Sequence, residues 1–414
     1  MNDVLMEITK RAKPYEESDM IITIFGKYYN DVNFGTIPVI LYGAGSAGKE
    51  LFHLLKLYGV NPVCFCDSSP LRAGEIFCGL PIVSPSELKE HHKNSLIFIT
   101  IGAHREQIKQ QLLDAGFDEN KLLSIADQEA LCYYTHLYQW RWSLDDLETR
   151  QNELFTVYNV LSDKKSRDIF TSRIALFVNG ADYRSFCNFI ANYADGQIDH
   201  GTAFQECLKS PDDHGEAYLQ FNNDLIRLSN NETLIDGGAY TGDSTIEFIL
   251  ACKKQNASYR EIFCFEPDPA IFAKLKENTA PYQNITLKPF GLWSHTTNLK
   301  FADSTQLRPG STQIVTDNDS ASTIEIATTS IDECFSDAGI TIIKMDIEGA
   351  EIEALRGAAK TIKRCKPKLI ISAYHKRNDL FEIPLLIHQL VPEYKLYFRH
   401  FSRNFGETTL FAIP

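Results

Sequence analysis

Paired cysteine motifs are absent from this chain. Its ten cysteines are scattered between Cys64 and Cys365, and no pair of C-x₂-C units occurs among them. Structural zinc sites and disulfide frameworks depend on regular cysteine spacing, so neither is indicated. Cys64 and Cys264 lie in apolar, strand-like runs. The pattern favours buried, reduced thiols in a cytoplasmic protein.

Basic charge and long apolar runs are also scarce. The chain has 41 Lys and Arg against 54 Asp and Glu, a formal net charge of −13 at pH 7. This balance argues against a nucleic-acid partner and against binding to an anionic membrane surface. No apolar run approaches the ~20 residues of a membrane-spanning helix, and residues 1–15 lack the hydrophobic core of a signal peptide. We therefore expect no membrane insertion.

The chain does have enough apolar residues for more than one core. It is 414 residues long and 44% hydrophobic, which predicts two or three domains. Predicted strands and helices alternate in two stretches, which indicates an α/β fold with two Rossmann-like units. We divide the chain into an N-terminal arm (1–36), a small Rossmann-like domain (37–126), a helical connecting segment (127–230) and a second α/β domain (231–414).

The first α/β unit has a glycine turn between a strand and a helix. The turn contains Gly43, Gly45 and Gly48, and the next strand ends in Asp67. G-x-G-x-x-G followed by an acid at about this distance is typical of a nucleotide site, with a diphosphate at the helix N-terminus. The unit is short for a full dinucleotide domain, which needs two βαβ halves.

This unit resembles the small Rossmann-like domains at the front of some sugar-modifying enzymes, and NAD-binding domains generally. The resemblance implies a bound nucleotide or nucleotide sugar. The alternative is a domain that only packs or dimerises, and in the second case the protein would be a homo-oligomer. Because no set of hydride-transfer residues is visible nearby, we do not interpret this unit as an oxidoreductase.

The second unit is organised around the stretch Thr233–Gly242. Its strand ends in Asp236, a glycine turn follows, and a helix is predicted after Gly242. The next strand ends in Glu266-Pro267. A carboxylate at that position accepts hydrogen bonds from both ribose hydroxyls of an adenosine, and the proline fixes the end of the strand. We therefore expect Asp236 and Glu266 to flank one cofactor site.

Four motifs recur in order through this unit: Asp236-Gly-Gly-Ala-Tyr-Thr-Gly-Asp243, Phe265-Glu-Pro267, Lys344-Met-Asp-Ile-Glu-Gly-Ala-Glu351 and Ala373-Tyr-His-Lys376. Together they resemble the FkbM-type family of S-adenosylmethionine-dependent methyltransferases over roughly residues 215–414. The resemblance implies a seven-strand class I methyltransferase sheet and O-methylation, often of sugars. Tyr240 stands where many class I methyltransferases carry glycine, a variant that is common in the FkbM-type group.

The resemblance also implies roles for individual residues. The methionine part of S-adenosylmethionine would contact Asp236, Gly237 and Gly238, with Tyr240 and Gly242 in the same turn. The ribose would contact Glu266 and Pro267, and the adenine would lie near Gly291 and Leu292. The mouth of the site would contain Asp346 and Glu348, with Lys376 as a further substrate-binding residue.

Methyl transfer to a hydroxyl is assisted by a base that accepts its proton. We expect His375 to be that base, since its ordinary pKa lies near neutrality, and Asp346 is the rival. Asp346, Glu348 and His375 could instead bind a divalent metal, although nothing in their spacing requires one. Glu351 is expected to be a charge on a helix surface.

The sequence therefore predicts an S-adenosylmethionine-dependent O-methyltransferase that acts on a hydroxyl of a carbohydrate, nucleotide sugar or related small molecule. One alternative is a nucleotide-sugar- or NAD-dependent enzyme with its chemistry in the first unit. The other is a non-catalytic, cofactor-binding scaffold.

Overall fold

The structure is a computed structural model that describes residues 3–12, 25–57, 59–100, 105–123, 142–178, 189–194, 220–302, 323–402 and 407–414. Its internal contacts divide the chain into two compact units. One comprises Met1–Arg11, Leu144–Ile174 and Asn188–Pro414, and the other comprises Ala12–Ser143 and Ala175–Cys187. The linear boundaries at residues 36, 126 and 230 stay a prediction.

The strands of the described residues form three sheets. In chain order they are β1 (Val39–Tyr42), β2 (Cys64–Cys66), β3 (Ile76–Phe77), β4 (Leu80–Val83), β5 (Leu96–Ile99), β6 (Leu122–Leu123), β7 (Glu232–Gly237), β8 (Tyr259–Phe265), β9 (Ile285–Lys288), β10 (Gly291–Leu292), β11 (Thr297–Ala302), β12 (Thr323–Thr329), β13 (Ile342–Met345), β14 (Lys368–Ser372), β15 (Lys395–His400) and β16 (Thr408–Ile413).

The α-helices cover the faces of the sheets or connect their strands. In chain order they are α1 (Asp3–Arg11), α2 (Tyr29–Asn33), α3 (Ser46–Leu57), α4 (Pro85–His91), α5 (Arg105–Asp114), α6 (Leu144–Thr149), α7 (Gln151–Val160), α8 (Lys164–Phe177), α9 (Asp243–Lys254), α10 (Pro269–Thr279), α11 (Ile331–Cys334), α12 (Glu351–Arg356), α13 (Ala359–Cys365) and α14 (Asp379–Leu390).

The smaller unit contains a six-stranded sheet in the order β3-β4-β2-β1-β5-β6. All neighbouring strands are parallel except the short β3–β4 pair, which the sequence pattern did not predict. Residues on β1, β2 and β5 are buried on both faces, as expected for parallel strands between helices. The strands predicted around the glycine turn are confirmed.

The larger unit contains a seven-stranded sheet in the order β15-β16-β14-β13-β7-β8-β9. Strands β14, β13, β7, β8 and β9 are parallel, and β16 pairs antiparallel with both β14 and β15. The predicted α/β class, with two Rossmann-like units and a closing antiparallel pair, is confirmed. Between the third and fourth strands of this unit, the sequence pattern predicts an added hairpin from Leu299–Phe301 and Thr323–Ala327, and the antiparallel pair β11–β12 confirms this pairing.

One predicted helix was wrong. The pattern over residues 350–362 predicts one helix, but the structure has two, α12 and α13, with a break at Gly357. A Cβ at Gly357 would lie 2.2 Å from the carbonyl oxygen of Trp293, so the backbone passes too close for a side chain there. The carboxylate of Asp332 then accepts the N–H groups of Lys360 and Thr361, at 2.9 and 2.7 Å, and starts the second helix.

Part of the connecting segment packs on the larger sheet. Ser162 N–H donates to the carbonyl of Leu396 on β15 at 2.8 Å. Arg399 is 3% exposed and forms an ion pair of 2.8 Å with Asp163. The ring of Phe170 on α8 stacks on Phe398 with a centroid distance of 6.2 Å. These contacts explain why residues 144–174 group with the sheet.

The described cysteines are free thiols, as the sequence predicts. Cys64, Cys66, Cys252 and Cys264 are buried, and burial raises the pKa of the Cys64 thiol to about 11. Among the described helices, none has the length and apolar character needed to cross a membrane.

Candidate functional site

A cavity of about 370 Å³ opens at the carboxyl ends of β7, β8 and β13. This is the edge at which open α/β sheets bind ligands. Eight of the residues singled out from the sequence line the cavity: Gly238, Tyr240, Glu266, Pro267, Gly291, Leu292, Asp346 and Glu348. The motifs at the ends of three separate strands therefore meet in one cavity.

Five other predicted residues do not line the cavity: Asp236, Gly237, Gly242, His375 and Lys376. Gly242 has φ +97° and precedes the first residue of α9. A Cβ on Gly237 would lie 2.7 Å from Leu292 Cδ1. Lys376 is exposed, and its N–H donates to Asp379 at 2.6 Å. These residues shape the surroundings of the cavity, and their contact with a ligand stays a prediction.

Asp236 anchors the turn from beneath the cavity. It is fully buried, and its carboxylate accepts hydrogen bonds from Ser244 at 2.7 Å and Thr245 at 2.6 Å. Lys344 Nζ lies 3.1 Å from its other oxygen. These contacts tie the end of β7 to the start of α9 and to β13. Asp236 therefore fixes the glycine turn that lines the cavity.

Lys344 is a buried cation that the sequence analysis did not single out as a site residue. Its ammonium donates to the carbonyl of Gly238 at 2.9 Å and is only 5% exposed. Burial lowers the pKa of this amine, but Asp236, Asp346 and Asp243 outweigh that effect and hold the pKa above its ordinary value. Lys344 on β13 thus stays charged, and its ion pair with Asp236 links the ends of β13 and β7.

Gly238 is required by close backbone packing. Its φ is +68°, and a Cβ there would lie 1.8 Å from the carbonyl oxygen of Asp346. The sequence suggests that this glycine lets a ligand approach the backbone. The structure shows a different requirement, since the turn after β7 presses against the chain leaving β13. Only glycine fits such a contact at positive φ.

Glu266 lines the cavity and is 6% exposed. One of its oxygens accepts the N–H of Tyr240 at 3.1 Å, and the other accepts the N–H of Asp268 at 2.9 Å. Burial raises the pKa of this carboxyl to about 7. Each oxygen keeps a lone pair for a further donor, so the carboxylate can accept the two hydroxyls of a ribose.

His375 lies behind the cavity wall between carboxylates. Its Nδ1 is 2.9 Å from Glu351 Oε1, and its Nε2 is 3.3 Å from Asp346 Oδ1 and 3.8 Å from Glu348 Oε2. Burial lowers the pKa of the imidazole, but Glu351, Asp346 and Glu348 raise it to about 10. A pKa this high favours the protonated ring at neutral pH, and the role of His375 as the base stays a prediction.

The carboxylates at the mouth differ in their ionisation. Burial raises the pKa of Asp346, but His375 and Lys344 outweigh burial and bring it below the ordinary value. Desolvation and the neighbouring carboxylates of Asp346 and Glu351 raise the pKa of Glu348 to about 7, against the opposite effect of His375, although the Glu348 side chain is 41% exposed. Tyr374 O–H donates to Asp346 at 3.1 Å. Glu348 is therefore the acid at the mouth that is best matched to proton transfer near neutral pH.

Several lining residues were not identified as site residues from the sequence: Asp243, Phe290, Trp293, Ile326, Thr328, Lys344, Tyr374 and Glu407. Asp243, Lys344 and Tyr374 stand inside the quoted motifs, so the motifs themselves were a usable signal. Glu407, which immediately precedes β16, also lines the cavity, and nothing local in the sequence indicates this.

The glycines in the turn of the smaller unit differ in how much space surrounds them. A Cβ on Gly48 would lie 2.0 Å from the carbonyl oxygen of Gly43, while a Cβ on Gly45 would meet nothing within 4 Å. Asp67 accepts the N–H of Ala44 at 3.1 Å. Arg72 donates to the carbonyl of Ala44. One glycine is thus needed for packing, and another leaves open space at the turn.

A seven-stranded sheet of this order with a cavity at its carboxyl edge defines the class I methyltransferase fold. Residues 236–399 match the family described as the methyltransferase FkbM domain. The resemblance inferred from the four motifs is thereby confirmed. Residues 36–123 match a second family, described as C2185-like, N-terminal.

Two known proteins illustrate the likeness. A solved structure described as methyltransferase FkbM from Methylobacillus flagellatus KT aligns with a TM-score of 0.58 and 19% identity, over 99% of this chain and 98% of that chain. This likeness shows the fold. Hexuronic acid methyltransferase AglP of Haloferax volcanii is 31% identical over 150 residues. That alignment covers 35% of this chain and 59% of the relative, so the chain spans about three fifths of the relative's length.

Proposed function

We propose that the protein is an S-adenosylmethionine-dependent O-methyltransferase acting on a hydroxyl of a carbohydrate, nucleotide sugar or related small molecule. The observation that carries the proposal is the cavity of the FkbM domain, where Glu266 and the Gly238 turn face Asp346 and Glu348. The relative described as a hexuronic acid methyltransferase supports a carbohydrate acceptor.

The cavity supports a specific placement of the cofactor. Its ribose hydroxyls would donate to Glu266, and its adenine would lie near Gly291, Leu292 and Phe290 on the same wall. Its methionine part would lie along the turn at Gly238. The methyl group would then face Asp346 and Glu348, which line the mouth.

The reaction needs little chemistry beyond orientation and proton removal. The acceptor oxygen attacks the methyl carbon in line with the breaking C–S bond, and S-adenosylhomocysteine leaves as a neutral thioether. Positioning supplies much of the rate because the methyl group is already activated. The hydroxyl proton passes to a carboxylate. We assign that role to Glu348, with Asp346 orienting the acceptor and His375 acting as a fixed positive charge behind them.

We expect Glu348→Gln to lower kcat for methyl transfer by about 10²-fold or more, since general-base catalysis contributes roughly that much. The assay follows transfer of a radiolabelled methyl group to a panel of monosaccharides and nucleotide sugars. The affinity for S-adenosylhomocysteine should change little. Glu353→Gln is the matched control, because Glu353 pairs with Arg356 on α12 and does not line the cavity. Full turnover by Glu348→Gln would assign the base elsewhere.

We also propose that the smaller unit binds a nucleotide or nucleotide sugar through Gly43, Gly45, Gly48 and Asp67. The open space at Gly45 supports a diphosphate at the start of α3, a helix of 12 residues. A unit that only packs or dimerises is the alternative.

Gly45→Val is expected to weaken nucleotide binding at least tenfold, because its side chain would occupy the space at the turn without disturbing the fold. Calorimetric titrations with a UDP-sugar and with NAD, on wild type and variant, measure this. Unchanged binding of S-adenosylhomocysteine by the variant is the folding control. If neither nucleotide binds the wild type, the packing alternative holds. Preference for NAD would favour the NAD-dependent alternative.

Location and partners form part of the same proposal. The free, mostly buried thiols of the described residues favour a reducing compartment, which supports a cytoplasmic location. The net charge of −13 supports a small-molecule acceptor and not a nucleic acid.

A further inference from the structure

Glu351 lies behind the mouth of the cavity, next to the residues that follow β14. The sequence suggests a charge on a helix surface, and this was wrong, because Glu351 is fully buried. It is the first residue of α12 and does not line the cavity. A buried carboxylate is costly unless its surroundings offset the charge, so the contacts of this carboxylate indicate its role.

One oxygen of Glu351 joins two segments of the chain. Oε1 accepts the N–H of Ile347 at 2.9 Å, and Ile347 stands between the mouth residues Asp346 and Glu348. The same oxygen lies 2.9 Å from Nδ1 of His375, a hydrogen bond in which the ring donates when Nδ1 carries a proton. Glu351 therefore ties the imidazole to the turn that carries both mouth carboxylates.

This turn packs closely against the histidine. Gly349 has φ +93°, and a Cβ there would lie 2.9 Å from Lys376 Cε and 3.6 Å from His375 Cβ. On another side, the Tyr374 ring lies 4.1 Å from the His375 ring, measured between centroids. The His375 side chain is only 9% exposed. The imidazole therefore has little room to turn, and its hydrogen bond with Glu351 fixes which nitrogen faces the mouth.

The other ring nitrogen faces the cavity-lining carboxylates. Nε2 of His375 lies 3.3 Å from Asp346 Oδ1 and 3.8 Å from Glu348 Oε2. We infer that Glu351 is a positioning residue for methyl transfer, which holds the His375 ring with Nε2 directed at the two mouth carboxylates. The inference rests on the proposed function, in which these carboxylates orient the acceptor and take its proton.

The ring bridges carboxylates that lie on opposite sides of it. Glu351 contacts Nδ1 and Asp346 contacts Nε2, although one donor atom from each of these three residues can be chosen within 4.8 Å of the others. A single ion therefore does not fit between them in this arrangement. A metal held by Asp346, Glu348 and His375 stays a prediction.

The hydrogen bonds of Glu351 depend on the length of its side chain. Both printed donors, the N–H of Ile347 and Nδ1 of His375, contact Oε1. Oε2 is buried and has no hydrogen-bond partner among the described residues. A neutral amide oxygen at the place of Oε1 would accept both hydrogen bonds. A carboxylate on a shorter side chain would not reach them.

Two substitutions separate length from charge. Glu351→Gln keeps the length and an acceptor oxygen, whereas Glu351→Asp keeps the charge and withdraws the carboxylate by one methylene group. We expect Glu351→Gln to retain most of the wild-type kcat and Glu351→Asp to lower kcat about tenfold or more, because small misplacements near a reacting group cost at least that much. The KM for the acceptor and the affinity for S-adenosylhomocysteine should change little. The assay is radiolabelled methyl transfer to the same panel of monosaccharides and nucleotide sugars.

Glu353→Asp is the matched control. Glu353 lies two positions along α12, pairs with Arg356 and does not line the cavity. The same loss of one methylene group there should leave kcat at the wild-type value.

Nuclear magnetic resonance of the full chain with isotope-labelled histidine observes the ring without an acceptor. We expect a slowly exchanging Nδ1–H signal in the wild type and in Glu351→Gln, and its loss in Glu351→Asp. His375→Gln identifies the signal by removing it. Because Glu351 acts through this ring, His375→Gln should also lower kcat at least as much as Glu351→Asp does.

A larger loss of kcat in Glu351→Gln than in Glu351→Asp would overturn the inference and make the charge the essential property. Wild-type kcat in Glu351→Asp or in His375→Gln would also overturn it, and the proposed function would stand. Absence of the Nδ1–H signal from the wild type would remove the hydrogen bond itself. A wild type that shows the signal but transfers no methyl group would lose the proposed function, and the positioning role with it. Circular dichroism verifies folding, and His375→Gln decides the matter if Glu351→Asp does not fold.

Discussion

Glu266→Ala is expected to abolish measurable binding of S-adenosylhomocysteine. The carboxylate is buried on the cavity wall, where two ribose hydroxyls would donate to it. Hydrogen bonds to a charged group are worth about 1.5–3 kcal/mol each, so losing two weakens binding by roughly 100-fold or more. The variant also leaves the N–H groups of Tyr240 and Asp268 without their acceptor. Isothermal titration calorimetry of wild type and variant measures the loss.

Glu261→Ala is the matched control for this experiment. Glu261 lies near the start of β8, away from the carboxyl end that carries Glu266, and accepts a hydrogen bond from Thr286 at 3.0 Å. Its removal should leave the affinity for S-adenosylhomocysteine unchanged. Wild-type affinity in Glu266→Ala would mean that the ribose is held elsewhere, and the proposed cofactor placement would be wrong.

The pH dependence of the same titration tests the charge on Glu266. The ribose hydroxyls donate hydrogen bonds, so the ligand favours the ionised carboxylate. Burial raises the pKa of this group to about 7, so the ionised form predominates above pH 7 and is lost below it. We expect about tenfold weaker binding at pH 6 than at pH 8. In Glu266→Gln this part of the pH dependence should disappear.

The sequence predicted those features that depend on neighbours along the chain. The glycine turn after Asp236 and the Glu266-Pro267 strand end are local signals, and both led to the correct edge of the sheet. The break at Gly357 was missed because its cause is the carbonyl of Trp293, which lies far away in sequence. Helix α14 was also missed, since Pro384 lies inside it and proline usually argues against a helix.

The chemistry of the site depends on pairings that only the fold reveals. The motif Ala373-Tyr-His-Lys376 suggested His375 as a base, which stays a prediction, and only the fold shows that carboxylates from other elements, Glu351 among them, raise the pKa of its ring. The contact of Asp236 with the cofactor stays a prediction, and the fold adds that Asp236 lies opposite Lys344 in the register of β7 and β13. Strand register between distant segments cannot be read from one sequence, so the pairing of the Asp236 carboxylate with Lys344 could not be predicted.

Lys344→Met is expected to lower the free energy of unfolding by about 3–5 kcal/mol, the cost of breaking a buried ion pair from one side. The ammonium lies 3.1 Å from the fully buried Asp236 and donates to the carbonyl of Gly238. Without it, Asp236 keeps two hydroxyl donors but loses its countercharge. Urea unfolding followed by circular dichroism measures the change.

Two companion variants separate charge from packing. Removing both charges in Asp236→Asn/Lys344→Met should recover part of the lost stability, because the amide still accepts from Ser244 and Thr245 and no buried charge is left alone. Lys368→Met is the matched control, since Lys368 pairs with Glu232 at 2.7 Å but is 18% exposed, so a smaller loss is expected. The contrary result is a double variant whose loss in the free energy of unfolding equals the sum of the losses in Asp236→Asn and Lys344→Met. That result would mean that Lys344 stabilises the strand ends by the packing of its side chain and not by its charge.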